Sequence, residues 1–129
     1  MEKGVEHKYM TIHVFTDLVV WQEAHKLVLE TYVVTKKFPR DELFALTSQM
    51  RRAVISITSN IAEGFSRKSK KEKTQFYTIA KGSLTELESQ FFAARDIGYI
   101  NISEFENISR RINSTHRLLS AFIKSTSNL

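Results

Sequence analysis

Apolar side chains recur along this chain at alternating intervals of three and four, the spacing that lays one stripe along an α-helix. The first such segment carries Trp21, Ala24, Val28, Thr31, Thr35 and Phe38, widened by Val20, Leu27 and Val34. Asp17 stands ahead of it as a candidate N-cap. Lys36 and Lys37 suit the negative end of its backbone dipole. Pro39 stops it, because the residue before a proline is pushed out of helical geometry. The second segment starts around Asp41 to Phe44 and carries Leu46, Met50, Ala53, Val54, Ile57 and Ile61. Its expected end is Gly64, which can take the left-handed C′ conformation at little cost. The third starts from a capping box of Ser69 and Glu72 and runs to about Ile97, with Gly98 ending it. Its stripe is Phe76, Ala80, Ser83, Leu87, Phe91 and Ala94, with Tyr77 and Leu84 beside it. The fourth begins after Asn101 or Ser103 and carries Phe105, Ile108, Ile112, Thr115, Leu119 and Phe122. Its polar end at 125–128 is expected to fray.

Four periodic segments, short links and no strand-like alternation predict an all-α fold, an antiparallel up-down-up-down four-helix bundle. One bundle domain over residues 17–125 follows a flexible N-terminal lead-in, residues 1–16.

The second segment has a further apolar set. Phe44, Ile55 and Ala62 lie more than about 100° from the middle of its main stripe. Two apolar faces imply burial on two sides, inside the domain or against another copy. Between them run Arg52, Ser56, Ser59 and Glu63, a narrow strip of small and charged side chains that another helix can approach closely. Arg52 and Glu63 are too far apart on one helix to pair easily and need neighbours. Gly82, off the stripe of the third segment, costs about 1 kcal/mol relative to alanine. It reads either as tolerance or as the mark of a close helix crossing. Phe44, Arg52, Ile55, Ser56, Ser59, Ala62, Glu63 and Gly82 are therefore the candidate assembly residues.

Composition narrows the chemistry. The chain has 129 residues, enough for one domain with a core. It has no cysteine, which excludes disulfides, thiolate metal sites and cysteine nucleophiles and fits a reducing cytoplasm. No apolar run approaches the roughly 18–20 residues of a membrane span. The polar N-terminus lacks a signal-peptide core. A cytoplasmic protein with no membrane partner is expected. The net charge of +5 is enough to assist contact with an anionic partner and too small to demonstrate one.

The strongest polar feature is the cluster Arg67, Lys68, Lys70, Lys71 and Lys73, five cations against Glu72 within residues 67–73. It sits where the third helix begins, beside backbone amides that also attract anions. Phosphate contact needs mobile cations and free donors of this kind. The bland alternative is a solvated helix start, common on soluble surfaces. Arg51 and Lys81, with Arg52, extend a possible patch, although Arg51 and Arg52 equally suit structural roles.

No catalytic or metal-binding set accompanies it. His7 and His13 lie in the lead-in without a completed ligand set, and His25 and His116 are lone histidines in helices. Glu86 and Glu88 cannot face the same way on one helix. There is no Glu-x-x-His pair and no phosphate-binding glycine loop. No cofactor and no enzymatic activity are expected.

Three stretches carry a family resemblance: FTDLVVWQEAHKLVLETYVVTKKFP at 15–39, LTSQMRRAVISITSNIAEGFSRKS at 46–69 and IAKGSLTELESQFFAARDIGYI at 79–100. They resemble the four-helix-bundle proteins encoded in intervening sequences of bacterial 23S ribosomal RNA genes. The resemblance covers the chain from Phe15 to about Phe122. It implies a ring-shaped homopentamer. It also implies a relation to the accessory protein of diversity-generating retroelements, a basic pentameric bundle that works with a reverse transcriptase and nucleic acid. A ring would concentrate the lysine clusters of its copies and make binding steeply salt-dependent. The residues matching family motifs are Gln49, Arg51, Arg52, Asn60, Glu63 and Gly64 in the second helix. In the third they are Gly82, Ser83, Leu84, Glu86, Leu87 and Glu88. They are expected to serve fold and assembly first. Two positions depart from the pattern. Thr58 replaces a usual proline, which keeps a backbone donor, and Lys73 replaces an aromatic. The function expected is a non-enzymatic, oligomeric helical bundle that binds RNA or another nucleic acid. Its rival is a protein–protein scaffold or reverse-transcriptase accessory subunit without nucleic-acid affinity of its own.

Overall fold

The computed structural model describes residues 12–128, so residues 1–11 of the expected lead-in, His7 among them, lie outside the described residues. Four helices follow one another: α1 (Val19–Thr35), α2 (Leu46–Ser66), α3 (Lys70–Ile97) and α4 (Ile102–Ser127). Short 3-10 turns at Phe15–Asp17 and Arg40–Glu42 precede α1 and α2. Each helix packs on the next and α4 returns to α1, which closes an all-α four-helix bundle with its most extensive contact between α2 and α3. Among the described residues there is no strand.

The stripes meet in one core. Leu27 and Val28 of α1, Met50, Val54, Ile57 and Ile61 of α2, Leu84, Leu87 and Phe91 of α3, and Ile112 and Leu119 of α4 are all buried. The ends of the stripes, Trp21, Leu46, Phe105 and Phe122, are half-buried against that core. Full burial of such side chains is worth about 1.5–3 kcal/mol each, so the core shared by the four helices carries much of the stability of the fold.

The helix ends differ in instructive ways from the local expectation. Asp17 belongs to the 3-10 turn, and the N-cap of α1 is Leu18, with no side-chain cap bond. The Gln22 side chain instead ties back to the Thr16 carbonyl at 2.9 Å. Residues 41–44 form a turn, and α2 starts only at Leu46. Gly64 is not a left-handed cap: the helix continues through it to Ser66. A Cβ at Gly64 would stand 2.6 Å from Cε1 of Tyr77 and 2.9 Å from Cβ of Phe76. The glycine therefore exists for the close approach of α3. Gly98, with φ of 97°, is the left-handed cap of α3, as its position suggests. Ser69 accepts from the Glu72 amide at 3.1 Å. Asn101 and Glu104 form the full reciprocal capping box of α4. That helix stays regular to Ser127, because Thr126 is buried and its hydroxyl donates to the Phe122 carbonyl at 2.9 Å.

Candidate nucleic-acid interface

The tip between α2 and α3 is built by α2 running out of partners and α3 being capped. The Ser66 hydroxyl donates to the Glu63 carbonyl at 2.7 Å and the Arg67 amide to the Gly64 carbonyl at 3.1 Å. The Lys73 ammonium reaches back across the turn and donates to the Phe65 carbonyl at 2.8 Å, lying over the Phe65 ring. It satisfies the exposed carbonyls at the negative end of α2. This gives Lys73 a structural role at the turn. Arg67 pairs with Glu63 at 2.7 Å and covers the Phe76 ring.

The cluster of five thus divides by role. Arg67 and Lys73 hold the turn. Lys68, Lys70 and Lys71 are exposed on it. Lys70 and Lys71 share a shallow recess with Thr74 and Gln75 of α3 and Ser127 of α4. The end of α4 therefore stands beside them and brings exposed Lys124 in its last turn to the same end. The other two basic candidates are elsewhere. Arg51 lies about 23 Å along α2 from the tip, half-buried between Thr35 and Tyr32 of α1. Lys81 is exposed but about 16 Å along α3 from Lys70.

Residue-by-residue reading of the sequence missed one basic surface. Arg110, Arg117 and Lys124 repeat every seven residues on the outer face of α4, and all three are exposed. Arg111 faces the other way and bridges the Glu23 and Glu30 carboxylates of α1, at 3.0 and 2.9 Å. Burial alone would pull its pKa down, but the two carboxylates hold it above its ordinary value. The signal available in advance was the heptad spacing of the three exposed cations.

The candidate assembly residues fall into two groups. Arg52, Ser56 and Glu63 are engaged inside the chain. Arg52 pairs with Glu86 of α3 and its Nε donates to Gln49 at 3.2 Å. The Ser56 and Ser83 hydroxyls are 2.8 Å apart, and Asn60 donates to the Ser56 carbonyl at 2.8 Å. The helix admitted by these small residues is α3. Phe44, Ile55, Ser59 and Gly82 are exposed, and Ala62 is half-exposed. Phe44 is 91 % exposed, and no atom comes within 4 Å of a Cβ built on Gly82.

The lone histidines have local partners: His25 stacks on Trp21, and His116 lies 3.5 Å from Glu88. Among the described residues no three His, Cys, Asp or Glu side chains are grouped to hold a metal ion, and no helix is long and apolar enough to cross a membrane.

The motif residues thus form one polar seam between α2 and α3: Gln49, Arg52, Asn60, Ser83 and Glu86, with Gly64 under Tyr77. The family model described as 23S rRNA-intervening sequence protein matches residues 16–121. The chain belongs to this family. A crystal structure of a protein of unknown function from the S23 ribosomal protein family of Bacteroides thetaiotaomicron VPI-5482 is similar in fold. It is 22 % identical, with a TM-score of 0.76, over 82 % of this chain and 96 % of that one. No curated protein matches the chain. The family match and the similar fold of that structure agree with the four-helix bundle described above.

Proposed function

We propose that this member of the 23S rRNA-intervening sequence family is a non-enzymatic, cytoplasmic, self-associating bundle that binds RNA or another nucleic acid. The observation that carries the reading is the exposed group Lys68, Lys70 and Lys71 at one end, joined there by Lys124. Lysine ammoniums on flexible stems suit phosphates without reading sequence. The outer face of α2 supports assembly, as a homopentamer in the proposal. It presents Ile55, Ser59 and Ala62 in a stripe without charge. Filter binding of a structured RNA across a salt series tests the tip. Replacing Lys68, Lys70 and Lys71 by glutamate is expected to weaken binding at low salt and to flatten the log–log salt slope by about 2–3. Unchanged affinity would remove the tip from the function.

A second reading is favoured by Phe44, an aromatic left almost entirely open at the start of α2. It suits a protein–protein scaffold, such as an accessory subunit of a reverse transcriptase, with the lysines serving solubility. A stable complex with a protein partner and no RNA retention on the filter would select it.

A further inference from the structure

We propose that the notch between the end of α1 and the start of α2 is a binding site for a small phosphomonoester, separate from the lysine tip and independent of its function. The notch has a volume of about 230 Å³ and is walled by Phe38, Pro39 and Leu43 on its apolar side. Lys36, Arg40 and Arg51 supply its cations, and Thr35 and Thr47 its hydroxyls. No carboxylate lines it. None of the three cations forms an ion pair among the described residues.

Arg51 is the organising group. Its Nε donates to the Thr35 hydroxyl at 3.0 Å, and its guanidinium lies 4.6 Å from the Tyr32 ring centroid. The Thr35 hydroxyl is itself fixed by donating to the Thr31 carbonyl at 2.7 Å. These anchors use one N–H and the flat face of the guanidinium. Both terminal NH₂ groups keep no acceptor among the described residues, a held fork of the geometry that two phosphate oxygens accept.

The start of α2 adds donors. Its N-cap, Ala45, has no side chain to cap with. One Glu42 carboxylate oxygen accepts the Leu46 amide at 3.2 Å, and the other accepts from the Tyr99 hydroxyl at 2.7 Å. The next two amides, of Thr47 and Ser48, have no acceptor among the described residues. Thr47 is only 3 % exposed and lines the notch, and its hydroxyl oxygen, which is not sealed from solvent, makes no hydrogen bond among the described residues. Three cations without an ion pair and the Thr47 hydroxyl line the notch, with the two remaining amides of the first turn of α2 beside it, a set that suits a doubly charged oxyanion. The apolar wall suits the organic group that a phosphomonoester carries. The small volume excludes a duplex.

Titration of the ¹⁵N-labelled full chain with a nucleoside 5′-monophosphate, and separately with the same nucleoside, tests the site. The Thr47 and Ser48 amides and the Arg51 Nε resonance are expected to shift saturably with the monophosphate and not with the nucleoside. Arg40→Gln changes an exposed side chain and is expected to weaken binding about tenfold, the effect of one charge-assisted hydrogen bond. Arg51→Gln removes the fork and abolishes the shifts. Because Arg51 also packs on Tyr32, the exposed Arg40 variant keeps the test decisive if that chain fails to fold. The Lys68/Lys70/Lys71→Glu variant is expected to bind as the parent does. Shifts confined to residues 68–71, or Thr47 and Ser48 amides unmoved at millimolar monophosphate, overturn the proposal.

Discussion

Two glycines in neighbouring helices do opposite things. Gly64 lies under Tyr77 and has no room for a methyl group, whereas Gly82 faces open space. Alanine favours a helix by about 1 kcal/mol at either position. At Gly64 the clash with Tyr77 and Phe76 costs about 2–3 kcal/mol, so Gly64→Ala is expected to lose about 1–2 kcal/mol net in urea unfolding. Gly82→Ala is expected to gain about 0.5–1 kcal/mol by the same measurement. The same close contact explains Tyr77, which is 1 % exposed and whose pKa is pushed up to about 12 by burial. The unfolded chain releases this proton near 10, its ordinary value. Stability from Tyr77 is therefore complete below pH 10 and falls by about 2–3 kcal/mol as pH rises from 10 to 12. Tyr77→Phe is expected to remove that alkaline loss, seen as a smaller difference in urea midpoint between pH 9 and pH 12.

At the scale of the element, capping decides where helices start when a side chain is available. Otherwise packing decides it. The start of α4 rests on the Asn101–Glu104 box, with the Glu104 amide donating to Asn101 at 2.8 Å. Glu104 also pairs with Lys37 at the end of α1. That hydrogen bond, with the Asn101 amide, holds its carboxyl below the usual carboxylate range. Asn101→Ala is expected to cost about 1 kcal/mol and to speed hydrogen exchange in the first turn of α4. The starts of α1 and α2 have no comparable device. They were misplaced by local reading because the 3-10 turns before them hold the chain through backbone bonds and distant partners. Tyr99, far along the chain, fixes Glu42 there.

For the whole molecule, the question is what covers the outer face of α2. Ile55 is 41 % exposed in the single chain, and Ser59 and Ala62 continue its stripe. In the proposed assembly this face meets another copy. Ile55→Glu together with Ser59→Glu is expected to lower the mass seen by light scattering towards one chain while the far-ultraviolet circular dichroism keeps its helical signal. A parent that is monomeric at micromolar concentration would end the assembly proposal. The basic surface is likewise a property of the whole. Lys124 shares an end of the bundle with Lys70 and Lys71 only because α4 returns to the end where α3 begins.

Much of this protein was written locally. Stripe spacing determined four helices and their core faces, Ser69 and Gly98 determined two ends, and Asn101 was one of two candidates for a third, because those hydrogen bonds and turns span only a few residues. Family membership was legible too, in the motifs of α2 and α3. What sequence could not assign was the role of residues whose partners lie on another helix. Gly64 read as a cap and is a contact. Lys73 and Arg67 read either as phosphate contacts or as a solvated helix start, and they are bonded back to α2 and to a ring of α3. Arg51 read equally as part of a basic patch or as structural, and it stands at the far end, fixed on α1. The strip containing Ser56 read as open to another helix, and α3 fills it. Charge and size are set by the residue, whereas the group each side chain meets is set by how the helices pack. Only the tertiary structure could separate the lysines that remain exposed from the cations that hold the fold.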